Sequence, residues 1–445
     1  MPQGPRAGAS GPAVVTIIAK NYLAYARSLV KSLRRFHPDL AVYVLFVDET
    51  AGFVDPAQED FMMLDLGVLD LPRRQEFLFR YDVMELSTAV KPYVLQWLFE
   101  RGHGKVLYLD PDIWVFAPLH DLFEWLEDAD VLLTPHLTAP LGDGKYPDER
   151  DILLSGTYNL GFMGIARAPQ VDALLAWWAD RCEFYCVSDI THGMFVDQRW
   201  MDLTPGLVDR VRIVRDPGYD VAYWNINHRR LSGTPGAPLV NGEAVRFYHW
   251  SGFDPRKPTA LSKHQNRYPV IETEPLLSMA REYSAELLAA GYRVSSGWPY
   301  GLGAFKDGHP IAREMRELFR ELPPGRFPDP FEPAGDDSFV SWAIQPPPAG
   351  GAAPLVERLH RTWARLDRSP RWRRSLPVRA LGRWRSRCWS RCARPWRAGP
   401  RCRRWPPRCC PAAPTSRRPS RSPAGAWTGS SSCAGCPPTR SPTTS

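Results

Sequence analysis

The chain has 445 residues and a formal net charge of +8, long enough to bury one large core or two medium ones. The charge is uneven. Past Asp367 there are 19 arginines and no Asp, Glu or Lys, and removing them from the 56 basic residues leaves 37 against 48 acidic ones, a net of −11 for positions 1–367. An acidic body argues against nucleic acid as partner and against steering towards an anionic membrane, and no apolar run approaches the ~20 residues that cross a bilayer.

Ala13–Ala19 is an apolar, β-branched run that predicts a first strand. Tyr22, Ala26, Leu29, Val30, Leu33 and Phe36 then fall on one face of a helix, His37-Pro-Asp39 ends it, and Ala41–Val47 is the next strand. Ser87 or Thr88 is the expected cap of a helix running through Val94, Leu95, Leu98 and Phe99 to Gly102. Lys105–Leu109 and Ala129–Thr134 read as further strands. This alternation predicts an α/β fold, a mainly parallel sheet with helices on both faces. In such open sheets ligands sit beyond the carboxyl ends of the strands.

That is where Asp110-Pro-Asp112 stands. Pro111 fixes its own φ and pushes Asp110 towards an extended conformation, so the strand breaks at the acids. Two hard oxygen ligands there suit Mg2+ or Mn2+ shared with a substrate phosphate, and an ordinary Asp-Pro-Asp turn is the bland alternative. There is no glycine-rich dinucleotide fingerprint after the first strand and no P-loop, so metal and side chains would have to hold any phosphate. Gly156-Thr-Tyr-Asn159-Leu-Gly161-Phe-Met-Gly164 is a small-residue segment in which Asn159 reads equally as a turn residue. Gly193-Met-Phe-Val-Asp197-Gln198 sets an acid beside an amide, and Phe247-Tyr-His249-Trp-Ser-Gly252 ends another strand, with Lys257 eight residues after the histidine.

Taken together, these segments resemble the retaining nucleotide-sugar glycosyltransferases of the GT-A fold, the glycogenin and LgtC-like galactosyltransferase group called family 8, from Val14 to about Lys257. The resemblance implies Asp110, Asp112 and His249 as ligands of Mn2+ (or Mg2+). It implies Asn21, Tyr22, Lys91, Asn159, Gly161, Gly252 and Lys257 around the donor, Asp110 among them through the metal. Gln198 is implied behind the anomeric carbon, with Asp197 the second candidate for that role. The implied partners are a nucleotide-sugar donor, a UDP-sugar first, and a saccharide or lipid-linked acceptor, with peripheral membrane contact left open and polysaccharide biosynthesis as the setting by analogy. Two departures stand out. Ala19 and Lys20 occupy positions where the family usually has acids, one of which reads uracil, and Lys257 lies two residues further from the histidine than usual.

Positions 1–269 are the expected catalytic domain. Helical spacing at Leu276–Tyr292 and Ile311–Leu322 predicts a helical appendage over 270–345, and 346–367 begin as a Pro/Gly linker. From about Arg368 to 445 the composition shifts to mainly Arg, Pro, Ser, Ala, Cys, Trp and Gly, which have GC-rich codons, with no Lys, Asp, Glu, Ile, Phe or Tyr. Disorder without selected function is expected there, as from a high-GC gene read out of frame, and an Arg-rich tail for nucleic acid or anionic lipid is the competing reading. Seven of the nine cysteines lie in this tail, and Cys182 and Cys186 read as reduced core residues. With no apolar secretion-signal core at Met1-Pro-Gln-Gly-Pro-Arg, a cytoplasmic location is expected. Two other functions stay open: a haloacid-dehalogenase-type phosphotransferase or phosphatase, which also uses Asp-x-Asp after a strand, and a non-catalytic carbohydrate-binding protein.

Overall fold

From the N-terminus the main strands are β1 (Ala13–Ile18), β2 (Ala41–Phe46), β3 (Met62–Asp65), β4 (Lys105–Leu109), β5 (Ile113–Val115), β6 (Val131–Pro135), β7 (Tyr158–Ala166), and the segments Val211–Ile213 and Phe247–His249. This is a computed structural model, in which residues 11–346 and 351–358 are described; the tail 368–445 and the rest of the linker lie outside them. Seven of these strands form one sheet in the order Val211–Ile213, β6, β7, β4, β1, β2, β3. Every neighbouring pair is parallel except those of β7, which runs antiparallel to both β4 and β6. The mainly parallel α/β architecture is the one expected.

Side chains alternate along each strand, and both faces are covered, which is why β1, β2 and β4 read as unbroken apolar runs. Val15, Ile17, Tyr43, Leu45, Val106 and Tyr108 meet Val94, Leu95 and Leu98 of the helix Lys91–Glu100 and Leu175 and Trp178 of the helix Pro169–Phe184. Val14, Ile18, Val42, Val44, Leu107 and Leu109 meet Leu23, Ala26, Leu29 and Leu33 of the helix Leu23–Arg34 on the other face. A third cluster packs Met279, Tyr283 and Leu287 of the helix Leu276–Ala289 against Trp114, within β5, and Trp250, just after Phe247–His249, the strand that pairs with it.

The segment after residue 300 is joined to the first core. Phe319, Phe331 and Phe339 surround Phe79, with ring centroids 5.0, 5.1 and 5.3 Å away. Arg316, buried on the helix Arg313–Arg320, donates to the carbonyls of Phe79 at 2.6 Å, Tyr81 at 2.7 Å and Leu302 at 2.5 Å. Buried carbonyls need partners, and a planar guanidinium can serve several at once.

Two local expectations are corrected. Ser87 and Thr88 cap nothing; they lie inside a helix, Val83–Ala89, whose cap is Asp82 with Glu85 completing a capping box. Their hydroxyls turn back to the carbonyls of Val83 and Met84, the local bonding that short polar side chains adopt inside helices. The small-residue segment around Asn159 is no turn but β7, at the middle of the sheet.

Candidate active site

At the carboxyl end of β4, Asp110 N–H donates to Gly161 O at 2.7 Å, the last rung between β4 and β7, and Ile113 N–H closes the Asp-Pro-Asp turn on Asp110 O at 3.1 Å. β5 leaves that turn and pairs antiparallel with Phe247–His249, His249 opposite Ile113, while Trp250 N–H bonds to Asp112 O at 2.9 Å. The ribbon thus carries a residue 137 positions beyond Asp112 back beside it. His249 Nε2 lies 3.1 Å from Asp112 Oδ1 and 3.7 Å from Asp110 Oδ2. Potential ligand atoms of all three residues fall within 4.8 Å of one another.

Burial raises the carboxyl pKa of Asp110, and Lys91 and His249 oppose the rise. Burial would push the His249 imidazolium down, but Asp112 and Asp220 outweigh it and hold it well above its ordinary value. Tyr108 O–H donates to Asp110 Oδ1 at 2.6 Å, which leaves Oδ2 of that carboxylate for the space it shares with His249. The His249 Nδ1 side faces two acceptors, Asn159 Oδ1 at 3.1 Å and Asp220 Oδ1 at 3.4 Å. A bound cation would take the place of the Nε2 proton, and with the remaining proton on Nδ1 the lone pair on Nε2 would point towards the carboxylates. Two carboxylates and an imidazole so directed fit a hard-to-borderline divalent cation such as Mn2+.

Below this cluster lies a buried polar layer. Lys91 Nζ sits 2.7 Å from Asp197 Oδ2, with both side chains 1% exposed. It also donates to Leu160 O at 2.9 Å and stands 4.1 Å from the centre of the Tyr108 ring. Burial raises the carboxyl pKa of Asp197 against the pull of Lys91. Gln198 accepts from Leu160 N–H at 2.9 Å and donates to Ser155 O at 2.7 Å, so both ends of its amide are committed to backbone. Gly161 is required by proximity: a Cβ there would fall 2.2 Å from His249 Cε1 and 2.7 Å from Asn159 Oδ1.

Tyr22 is 42% exposed and stacks on Tyr25, centroids 4.7 Å apart, as the last residue of the Lys20–Tyr22 turn that follows β1 and contains Asn21. Lys20 is buried and paired with Asp48 at 3.1 Å, so an acid does reach this strand end, from the end of β2. Gly252 has φ +72°, and a Cβ there would meet His264 Cδ2 at 2.4 Å and Ser262 Oγ at 2.7 Å. It therefore needs glycine both for its backbone and for the close loop. Lys257 lies exposed in a turn closed by its N–H on Asp254 O at 2.8 Å, and Lys263 N–H, further along, bonds to Gly252 O at 3.1 Å.

Sequence reasoning passed over Asp220, His136 and His264. His136 could have been found, since it directly follows the carboxyl end of β6; Asp220 carries no such signal. His136 Nε2 faces Asn159 Nδ2 at 3.2 Å, and its ring stands 5.2 Å from that of Trp224. Burial pushes its pKa down to about 4, against the pull of Asp220. The unfolded chain therefore takes up this proton first, and stability is lost as pH falls from about 6.5 towards 4, by about 2 kcal/mol at pH 5. Chemical denaturation at pH 7 and pH 5 should show His136→Gln losing about 2 kcal/mol less than the wild type between the two. Equal losses would remove this account of His136.

No protein-family model matches the chain. Two proteins of Bacillus subtilis (strain 168), both described as uncharacterized, are similar in sequence. YfnF is 28% identical over 250 residues, 54% of this chain and 81% of its own length. YfnD is 24% identical over 244 residues, 54% of this chain and 76% of its own length. Among solved structures, the galactosyltransferase LgtC in complex with donor and acceptor sugar analogues aligns at 16% identity and a TM-score of 0.36, covering 62% of this chain and 95% of that one. The glycosyltransferase GlyE of Streptococcus pneumoniae TIGR4 aligns at 18% and 0.37, covering 66% of this chain and 67% of that one. Identities and TM-scores this low say nothing of the activity of this chain.

Proposed function

We propose that this protein is a metal-dependent glycosyltransferase of the GT-A, family 8 kind, moving a hexose from a nucleotide sugar, a UDP-sugar first, to a saccharide or lipid-linked acceptor with retention of configuration. The observation that carries the reading is the convergence of Asp110, Asp112 and His249 beyond the carboxyl end of β4, above the buried Lys91, Asp197 and Gln198. A divalent cation, Mn2+ or Mg2+, held by the three ligands would offset the charge on the departing nucleoside diphosphate.

The protein's own residues have distinct tasks in this reading. Tyr22, supported by Tyr25, offers an exposed ring for a base, with Asn21 beside it. Asn159 and Gly161, which pack directly against the His249 ring, are retained beside the sugar on the strength of the family pattern, and Gly252 keeps the His264 loop close to the metal ligands. Lys257 is retained for the diphosphate on the strength of the family pattern. Lys91 holds Asp197 in place, and the Gln198 amide is held by backbone at both ends, so Gln198 is placed first at the anomeric centre, with Asp197 second, on the strength of the family pattern. Among the described residues no helix is long and apolar enough to cross a membrane. By analogy with the family pattern, the setting we propose is polysaccharide biosynthesis, in the cytoplasm or at the membrane periphery.

The binding half of this reading is tested by calorimetric titration of nucleoside diphosphates with and without Mn2+. Mn2+ should tighten at least one of them, UDP first, by 10-fold or more, on the order expected for metal-bridged phosphate. Affinities that ignore Mn2+ for every diphosphate would overturn it. For the sugar, Gln198→Ala should lower kcat by about 100-fold while donor affinity changes by less than about 3-fold, the mark of a contact that strengthens in the transition state. Wild-type turnover would transfer the role away from Gln198.

A further inference from the structure

Asp220 lies outside every sequence motif, yet it is 1% exposed and has φ +50°, a left-handed conformation that non-glycine residues seldom hold. Its surroundings fix it there. Asp220 Oδ2 accepts from Thr134 Oγ1 at 3.0 Å, at the end of β6. Its carbonyl accepts from Asn225 Nδ2 at 2.8 Å, and Asn225 Oδ1 in turn accepts from Ala222 N–H at 3.0 Å. The next residue supports the metal-ligand strand directly, through His249 N–H to Val221 O at 2.8 Å. The remaining carboxylate oxygen, Oδ1, is buried, makes no hydrogen bond to the rest of the described residues, and lies 3.4 Å from His249 Nδ1. A buried carboxylate oxygen without a donor is costly; the His249 imidazole stands 3.4 Å from it, and His136 and Arg229 also feel the charge of Asp220.

We propose that Asp220 is a positioning residue for His249: with Asn159 it faces Nδ1–H as an acceptor, fixes the ring with Nε2 towards Asp110 and Asp112, and makes that nitrogen a stronger metal ligand. The inference rests on the metal-site reading above. The two acceptors divide the work. Asn159 is itself oriented by His136 at 3.2 Å and by Gly161 N–H at 3.1 Å, and so sets direction. Asp220 supplies charge, as carboxylates behind metal-bound histidines do.

The test uses the full chain and Mn2+ alone, with affinity read by calorimetry and by the electron paramagnetic resonance signal of free Mn2+. Asp220→Asn keeps the shape and suits the left-handed backbone, since asparagine tolerates it. It should weaken Mn2+ binding by about 10- to 100-fold. Adding Asn159→Asp, which returns a carboxylate to the other position facing Nδ1, should recover most of that loss. An Asp220→Asn protein that binds Mn2+ like the wild type overturns the proposal, as does a weakened variant that the second substitution fails to rescue. If Asp220→Asn does not fold, Thr134→Val reads the same link by releasing Oδ2, with at least about 3-fold weaker Mn2+ expected and unchanged affinity overturning the role. A wild-type protein that binds no Mn2+ would instead bring down the metal site itself.

Discussion

If the proposed reading holds, Asp112→Asn should lower sugar transfer by about 100- to 1,000-fold and leave the fold intact, because the substitution would remove one charged ligand from a site meant to carry several kcal/mol of charge stabilisation. Asp112 Oδ1 is the carboxylate atom nearest His249 Nε2, at 3.1 Å against 3.7 Å for Asp110 Oδ2. The backbone bond that fixes the ribbon, Trp250 N–H to Asp112 O at 2.9 Å, does not involve the side chain and survives the change. Activity should fall steeply with little movement of the thermal midpoint, and excess Mn2+ should recover part of it. Near-normal turnover at limiting Mn2+ would show that Asp112 is not a ligand.

Lys91→Ala should have the largest effect on stability. It leaves Asp197 buried, 1% exposed, with its ammonium partner at 2.7 Å gone. Breaking a buried pair on one side costs about 3–5 kcal/mol, whereas replacing both partners by apolar residues of similar size costs much less. Lys91→Met with Asp197→Leu should therefore regain most of the stability lost in Lys91→Ala and none of the activity. The pH dependence has a defined sign. Without Lys91 to oppose burial, the raised pKa of Asp197 rises further, so the folded variant holds a proton that the unfolded chain has released. The penalty must then shrink as pH falls through that raised value and be largest at neutral pH. Chemical denaturation at pH 5 and pH 7.5 reads both effects; a loss below about 1 kcal/mol would mean that the pair is not coupled as its geometry implies.

Much of this was legible in the sequence because both-face burial leaves a plain mark. β1, β2, β4 and β6 were visible as apolar runs, and the acids of Asp110-Pro-Asp112 do end a strand. β7 was missed because its composition answers two further demands. Gly161 must admit His249, and Gly164 must admit Leu132, whose side chain would stand 3.0 Å from a Cβ there. Glycines required by close approach look the same in sequence as glycines required by a turn. The helix cap went astray because two hydroxyl residues precede the helix Lys91–Glu100, while the capping acid, Asp82, belongs to the helix before it. His249 was nominated by resemblance alone; only the pairing of β5 with Phe247–His249 supplies the physical reason. Asp220 is invisible in the sequence, since Thr134 and His249 reach it from distant parts of the chain and only Asn225 is local.

The measurement that meets the central claim most directly needs no acceptor. Incubated with Mn2+ and nucleotide sugars, one donor at a time, the protein should slowly hydrolyse at least one of them, and time-resolved NMR can read the first sugar released. The account predicts nucleoside diphosphate together with a sugar in the donor's own anomeric configuration, both lost on chelation of the metal and in Asp112→Asn. Release of an inverted sugar, release of inorganic phosphate in place of nucleoside diphosphate, or cleavage indifferent to metal would contradict it.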